Sequence, residues 1–274
     1  MEPQLLTVIE KEDLQKWAPS EWLNWQFEAK HDGARCLIVN GVPQSRTGKP
    51  LNNLGAVLKE LGVRAAGCVL DGEIVGENWA DTMHNARAGE GKRDGNALVF
   101  RPFDMLTIHE WKHKLCDRDL ADRQNLLWSY IKNSDHVSIV SHFDIENYAQ
   151  FEIFYEQCLF HGCDGVVLKL KHSMYEFKRT KTWLKVKPEH TVDGKVVGVR
   201  VGKLKYAGTL GALVFEPEGS TVITNVSGMT DEQRHYWWTH QYAIVGKTIE
   251  VKCRGVHPTG KLIEPRFERI REDK

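Results

Sequence analysis

No run of about 18 apolar residues occurs in the 274-residue chain, so no segment is built to cross a membrane as a helix. The first residues, MEPQLLTVIEKEDLQKW, carry acids where a secretory leader has a basic flank and an apolar core, so no signal peptide is expected. Cys36, Cys68, Cys116, Cys158, Cys163 and Cys253 include no CxxC pair and no zinc-ribbon spacing. They read as reduced, mostly buried thiols. Net charge is lacking too: Lys+Arg and Asp+Glu both number 37, so any anion-binding surface must come from local segregation of charge. Repeats and low-complexity tracts are missing. What remains, 41% hydrophobic and 27% charged residues, is the composition of an ordinary globular protein long enough for two domains.

Runs rich in Val, Ile, Phe and Trp predict strands at 25–29, 35–39, 68–75, 97–106, 136–140, 164–170 and 182–188. Helices are predicted at 52–62, 117–132 and 145–161, the last from apolar residues recurring three and four apart. After Pro188 the texture changes. KVVGVRVG, TLGALVFEP, STVITNVS, KTIEVKCRGV and KLIEPRFERI are five short strands with one helical interruption, TDEQRHYWWTHQYA, which suits a small barrel of the OB type. The expected fold class is α+β, with one domain at 1–188 and a β-barrel domain at 189–274 joined near 188–193.

EAKHDGAR, residues 28–35, holds the spacing K-x-D-G-x-R. Its plain reading is a β-hairpin whose DG turn joins two strands, with Lys30 and Arg35 as exposed charges. Its chemical reading makes Lys30 a nucleophile and Arg35 a phosphate or sugar clamp, the tight turn bringing the two strands together. A lysine normally titrates near ~10.4, and lowering that by three units costs about 4 kcal/mol. The chemical reading therefore requires more cations, or a divalent metal, converging on Lys30. TWLKVKP offers Lys185 and Lys187, two apart on a strand and so on one face, which suits a phosphate.

Two carboxylates stand in apolar settings, Glu73 in VLDGEIVG and Asp164 in CDGVVLK, with Lys169 at the latter strand's far end. DG pairs favour turns without any function, but Glu73 inside an apolar strand needs a partner: a hydroxyl, a metal or a cation. Phe103, beside Asp104, reads as core unless a planar base lies nearby. HEWKH, 109–113, matches the zincin pattern H-E-x-x-H, but it is short, follows a strand and precedes a better helix, so zinc hydrolysis is not expected.

Taken in order, KHDGAR (30–35), SRTGK (45–49), DGE (71–73), FRPFD (100–104), DGVVLK (164–169), WLKVK (183–187) and RIREDK (269–274) resemble the covalent nucleotidyltransferase superfamily, most closely its ATP-dependent DNA ligases. The resemblance covers nearly the whole chain and implies a nucleotidyltransferase (adenylation) domain followed by an OB-fold domain. It implies that Lys30 takes AMP from ATP, that the AMP passes to the 5′-phosphate of nicked duplex DNA, and that the 3′-hydroxyl then seals the nick. By position, Arg35 and Glu73 would hold the ribose, Phe103 would stack on adenine and Glu28 would read its edge. Lys185 and Lys187 would meet the α-phosphate, Arg46 and Lys49 the DNA, and Glu73 and Asp164 a Mg²⁺ or Mn²⁺ ion. Asp164 departs from the family's usual Glu by one methylene. Arg271, Asp273 and Lys274 would orient the departing pyrophosphate in the first step only.

The chain is similar to the minimal viral or small bacterial ligases, which implies a monomer in the cytoplasm, or in a host's cytoplasm, serving DNA replication, repair and recombination. Rival expectations are an mRNA-capping guanylyltransferase, which shares the lysine motif and a similar ending, an RNA ligase, and a non-catalytic OB-type nucleic-acid binder.

Overall fold

The computed structural model describes residues 2–89, 95–257 and 259–272. It divides into two units, Met1–Lys187 and Pro188–Lys274. The first contains β1 (Leu5–Val8), β2 (Trp25–Ala29), β3 (Ala34–Val39), β4 (Val42–Ser45), β5 (Cys68–Val75), β6 (Val99–Thr107), β7 (His142–Asp144), β8 (Val166–Leu170) and β9 (Arg179–Val186). They form two sheets, in the orders β1-β9-β8-β2-β7 and β4-β3-β5-β6. Every pairing is antiparallel except that of β1 with β9.

Helix Tyr148–Phe160 covers the first sheet. Asn147 caps it by accepting from the Gln150 N–H at 3.0 Å, and Phe151, Tyr155 and Cys158 turn one buried stripe onto Phe27, Val166 and Leu168. Helices Gly55–Leu61 and Leu120–Tyr130 cover the second sheet through Val57, Leu61 and Leu127. A third cluster, with Leu37, Val69 and Leu106 from one sheet and Trp183 from the other, joins the two layers.

The DG step at Asp32–Gly33 is not a hairpin. β2 pairs with β7 and β8, whereas β3 pairs with β4 and β5, so the chain crosses from one sheet to the other between Lys30 and Arg35. Gly33 is required by proximity: a Cβ there would lie 2.1 Å from the carbonyl oxygen of Ile74. HVSIV is not a strand either. It runs along β6 through single backbone bonds, from Phe100 N–H to the His136 carbonyl and from Ser138 N–H to the Phe100 carbonyl, and only Val137 forms a bridge.

The second unit contains β10 (His190–Val201), β11 (Leu210–Pro217), β12 (Thr224–Val226), β13 (Thr248–Cys253), β14 (Gly255–Val256), β15 (Leu262–Ile263) and β16 (Arg266–Ile270). Five of them follow the order β12-β11-β10-β13-β16. A parallel bridge between Ser227 and Arg266 joins the two outer strands, which closes the sheet around Val196, Phe215, Ile249 and Val251. Helix Asp231–Thr239 lies between β12 and β13 in the sequence. It starts from a Thr230/Gln233 capping box and packs Trp237 edge-on to Phe267 at 5.2 Å. Strand content, order and helix position are those of an OB-like domain. Among the described residues, no helix is long and apolar enough to cross a membrane.

Candidate active site

Lys30 follows the last residue of β2. Its N–H donates to the Gly165 carbonyl at 2.9 Å, and its carbonyl accepts from the Asp164 N–H at 2.6 Å. These bonds extend the β2–β8 ladder past its last pair, Ala29 and Val166, and set the two side chains together. Lys30 Nζ donates to Asp164 Oδ2 at 2.6 Å, and Lys187 Nζ lies 3.1 Å from the same oxygen. Gly165 makes the approach possible. At φ +114°, with any Cβ only 2.0 Å from the Val186 carbonyl oxygen, no other residue fits.

Arg35 opens β3. Its guanidinium binds Asp71 through two bonds, Nε to Oδ1 at 2.9 Å and NH2 to Oδ2 at 2.6 Å, and NH1 donates to the Gln4 carbonyl at 2.7 Å. The Tyr175 hydroxyl donates to Asp71 Oδ2 at 2.7 Å and accepts from the Gln4 N–H at 3.1 Å, so four residues form a ring. The sequence reading gave no role to Asp71, Gln4 or Tyr175. Asp71 lies within DGE, but nothing near Gln4 or Tyr175 in the sequence signals the ring.

Glu73 pairs in register with Arg35 across β5 and β3. Burial pushes its carboxyl up to about 7 against the pull of Lys30 and Arg35. Burial, then the charges of Lys187, Lys30 and Arg179, pull the Lys185 ammonium down to about 8. Among the described residues, no ion pair or side-chain hydrogen bond holds the Lys185 ammonium, and Asp164 is the acid that acts on it. Four cations thus act on one another here, Lys30, Lys185, Lys187 and Arg179, the last of which the sequence reading missed.

These groups border two adjoining spaces. The first, about 480 Å³, is lined by Glu28, Lys30, Arg35, Glu73, Phe103 and Lys169, with Leu6, Val140, Val167 and Trp183 as apolar walls. Phe103 is at once wall and core: it packs edge-on to Trp183 at 5.9 Å and lies beneath the Lys169 ammonium at 4.5 Å. The Glu28 carboxylate is engaged from within the protein. It pairs with buried Lys169 at 2.8 Å and accepts from Gln26 and Gln124. The second space, about 1500 Å³, shares Lys30, Arg35 and Glu73 and is lined by five further cations, Arg46, Lys49, Arg87, Arg179 and Lys185. Glu73 is its only acidic lining residue among the described residues.

Of the final motif, Asp273 and Lys274 lie outside the described residues. Arg271 is held within its own unit, with NH1 on Asp193 Oδ1 and Oδ2 at 3.0 and 2.8 Å.

HEWKH lies in a short helix, Ile108–His113, directly after β6, and the rings of His109 and His113 lie 4.1 Å apart. Glu110 is nevertheless unsuited to zincin chemistry. It is the capping-box residue of that helix and binds Arg118 at 2.6 and 2.8 Å. Although burial pushes its carboxyl up, Arg118 and Thr107 hold it at about 2, too acidic to take a proton from water. Among the described residues, no group of three metal-ligating side chains occurs.

The family model of the ATP-dependent DNA ligase domain matches residues 10–187, and that of the DNA ligase OB-like domain matches residues 201–271. The chain belongs to the ATP-dependent DNA ligase family. DNA ligase 2 of Korarchaeum cryptofilum is 34% identical over 189 residues, which cover 60% of this chain and 32% of that ligase. The chain thus spans about a third of the length of this curated relative. Among solved structures, Pmar-Lig_PreS3 superposes with a TM-score of 0.81 at 25% identity, covering 98% of this chain and 67% of that one. A structure of the Lig E DNA ligases, described as binding DNA with a minimal scaffold, superposes with a TM-score of 0.79 at 20% identity, covering 99% of each chain, and shows the shared fold.

Proposed function

We propose that the chain is an ATP-dependent DNA ligase acting as a monomer, in the cytoplasm, on nicked duplex DNA. The observation that carries this reading is the setting of Lys30. Its ammonium is held by Asp164 at the mouth of an apolar, aromatic-walled pocket that adjoins a groove lined by cations. Lys30, once deprotonated, attacks the α-phosphorus of ATP; the N–P bond forms as the bond to pyrophosphate breaks. The pocket's apolar walls suit a base, the anchored Arg35 suits the ribose, and Lys185 and Lys187 suit the α-phosphate. A 5′-phosphate of DNA then displaces Lys30 from AMP, and the 3′-hydroxyl displaces AMP. Arg46 and Lys49, in the basic groove, suit the DNA backbone.

Glu73 and Asp164 are too few for a closed cation cage, but they suit Mg²⁺, which takes one or two carboxylates and fills its remaining positions with phosphate oxygens and water. When bound, that ion would neutralise charge developing on the phosphates.

The test is label transfer. Incubated with Mg²⁺ and α-labelled ATP, the chain should take up label, and the Lys30→Ala variant should take up none. Nicked DNA should discharge the label and be sealed. Labelling by GTP but not ATP would replace this reading by a capping enzyme, and no labelling by either would leave a nucleic-acid binder.

A further inference from the structure

The helix Tyr148–Phe160 stops in a turn that backs onto the lysine. Gly162, at φ +76°, reverses the chain there. Two bonds seal the end, from the Cys163 N–H to the Cys158 carbonyl at 2.9 Å and from the Gly162 N–H to the Leu159 carbonyl at 3.0 Å. This nested pair is a Schellman motif, whose geometry presses the side chains of its first and sixth residues together. Apolar residues commonly take those positions; here both are cysteine, so the turn sets the two thiols side by side. A disulfide accepts Cα separations of about 4.4–6.8 Å, and the 2.9 Å bond from the Cys163 N–H to the Cys158 carbonyl keeps the two backbones close. Cys158 is buried and Cys163 partly exposed, so an oxidant in solution meets Cys163 first.

The turn is wired to the site at two points. Cys163 Sγ lies 4.0 Å from Nδ1 of His31, the residue after Lys30. Asp164, the residue after Cys163, binds Lys30 through its N–H and its carboxylate.

We propose that Cys158 and Cys163 are a redox modification site beside the nucleotide pocket. Peroxide oxidises the Cys163 sulfur to a sulfenic acid and leaves as water. The Cys158 sulfur then attacks that sulfur, forming the disulfide and releasing a second water, so two electrons pass from the thiol pair to the peroxide. Closure draws Cys163 Sγ from His31 and locks the segment that holds Asp164, which slows nucleotide transfer to Lys30. This last consequence rests on the reading of Lys30 as the nucleophile; the modification itself does not.

The full chain would be treated with graded hydrogen peroxide, its remaining thiols alkylated, and the protein digested with trypsin. One tryptic peptide, residues 133–169, contains both cysteines and no others. At low peroxide that peptide should lose two hydrogens, refuse alkylation and recover with dithiothreitol. In the same samples, labelling by α-labelled ATP should slow several-fold and recover on reduction. Cys158→Ala and Cys163→Ser, tested separately, should label as fast as the reduced wild-type chain and form no disulfide within this peptide. Oxidation of other cysteines while this peptide stays alkylatable would overturn the proposal. A disulfide with unchanged labelling would uphold the site and overturn its link to Lys30. Reduced protein that takes no label would count against the ligase reading, while the peptide map would still decide the modification.

Discussion

Glu73 is a carboxylate whose charge the fold disfavours. Burial raises it to about 7, from an ordinary value of 4.5. Between those values the folded chain keeps a proton that the unfolded chain has lost, so stability falls as pH rises through the interval, and the penalty is complete above about 7. Glu73→Gln removes the penalty. Urea unfolding without added metal should show the variant gaining on the order of 2 kcal/mol more at about pH 8 than at about pH 5. An equal difference at both pH values would mean that Glu73 ionises freely. At this scale the sequence disclosed the residues standing in short motifs, Lys30, Arg35, Glu73, Asp164, Lys185 and Lys187. It hid those recruited from far away. Gln4 and Tyr175 meet Arg35 and Asp71 across most of the first unit, and neither has a neighbour in the sequence that marks it.

Elements were legible where periodicity and end signals agreed. The helix predicted at 145–161 forms at Tyr148–Phe160 because its apolar stripe, its Asn147 cap and its Gly162 stop point the same way. The runs at 25–29 and 68–75 form as Trp25–Ala29 and Cys68–Val75. β1, β4 and β7 went unseen because they are short; β4 contains a proline and β7 is wholly exposed. HVSIV has strand composition, but it lies beside β6 with only one bridge. The DG at 32–33 misled because glycine serves close approach as well as turning. Gly165 tests how tightly elements meet around the lysine. Its positive φ and its contact with the Val186 carbonyl both exclude a Cβ. Gly165→Ala should therefore lower stability by about 3 kcal/mol or more, read from denaturant midpoints. A loss under about 1 kcal/mol would show that β8 and β9 can part there without consequence.

Over the whole molecule, a net charge of zero concealed a groove lined by seven cations, because Arg46, Arg87 and Arg179 come from a loop, a helix and a strand that only the fold assembles. The OB-like topology was legible from the change of texture after Pro188. The role of the last residues is a separate matter. Arg271 is engaged by Asp193, so using it on a pyrophosphate requires exchanging one anion for another. If it serves only the first step, Arg271→Ala and deletion of 271–274 should each abolish labelling from ATP yet spare sealing of a nick that already carries AMP. Equal loss of both activities would make this end merely structural. The opposite end has a different importance. β1 is the edge strand beside β9, held by bonds such as Leu5 N–H to the Lys178 carbonyl and Ile9 N–H to the Lys185 carbonyl. Clipping those first residues would bare a row of unpaired amides alongside Trp183, a template on which a second molecule could add its own strand. The short segment that steadies Arg35 through Gln4 is thus also a guard against aggregation.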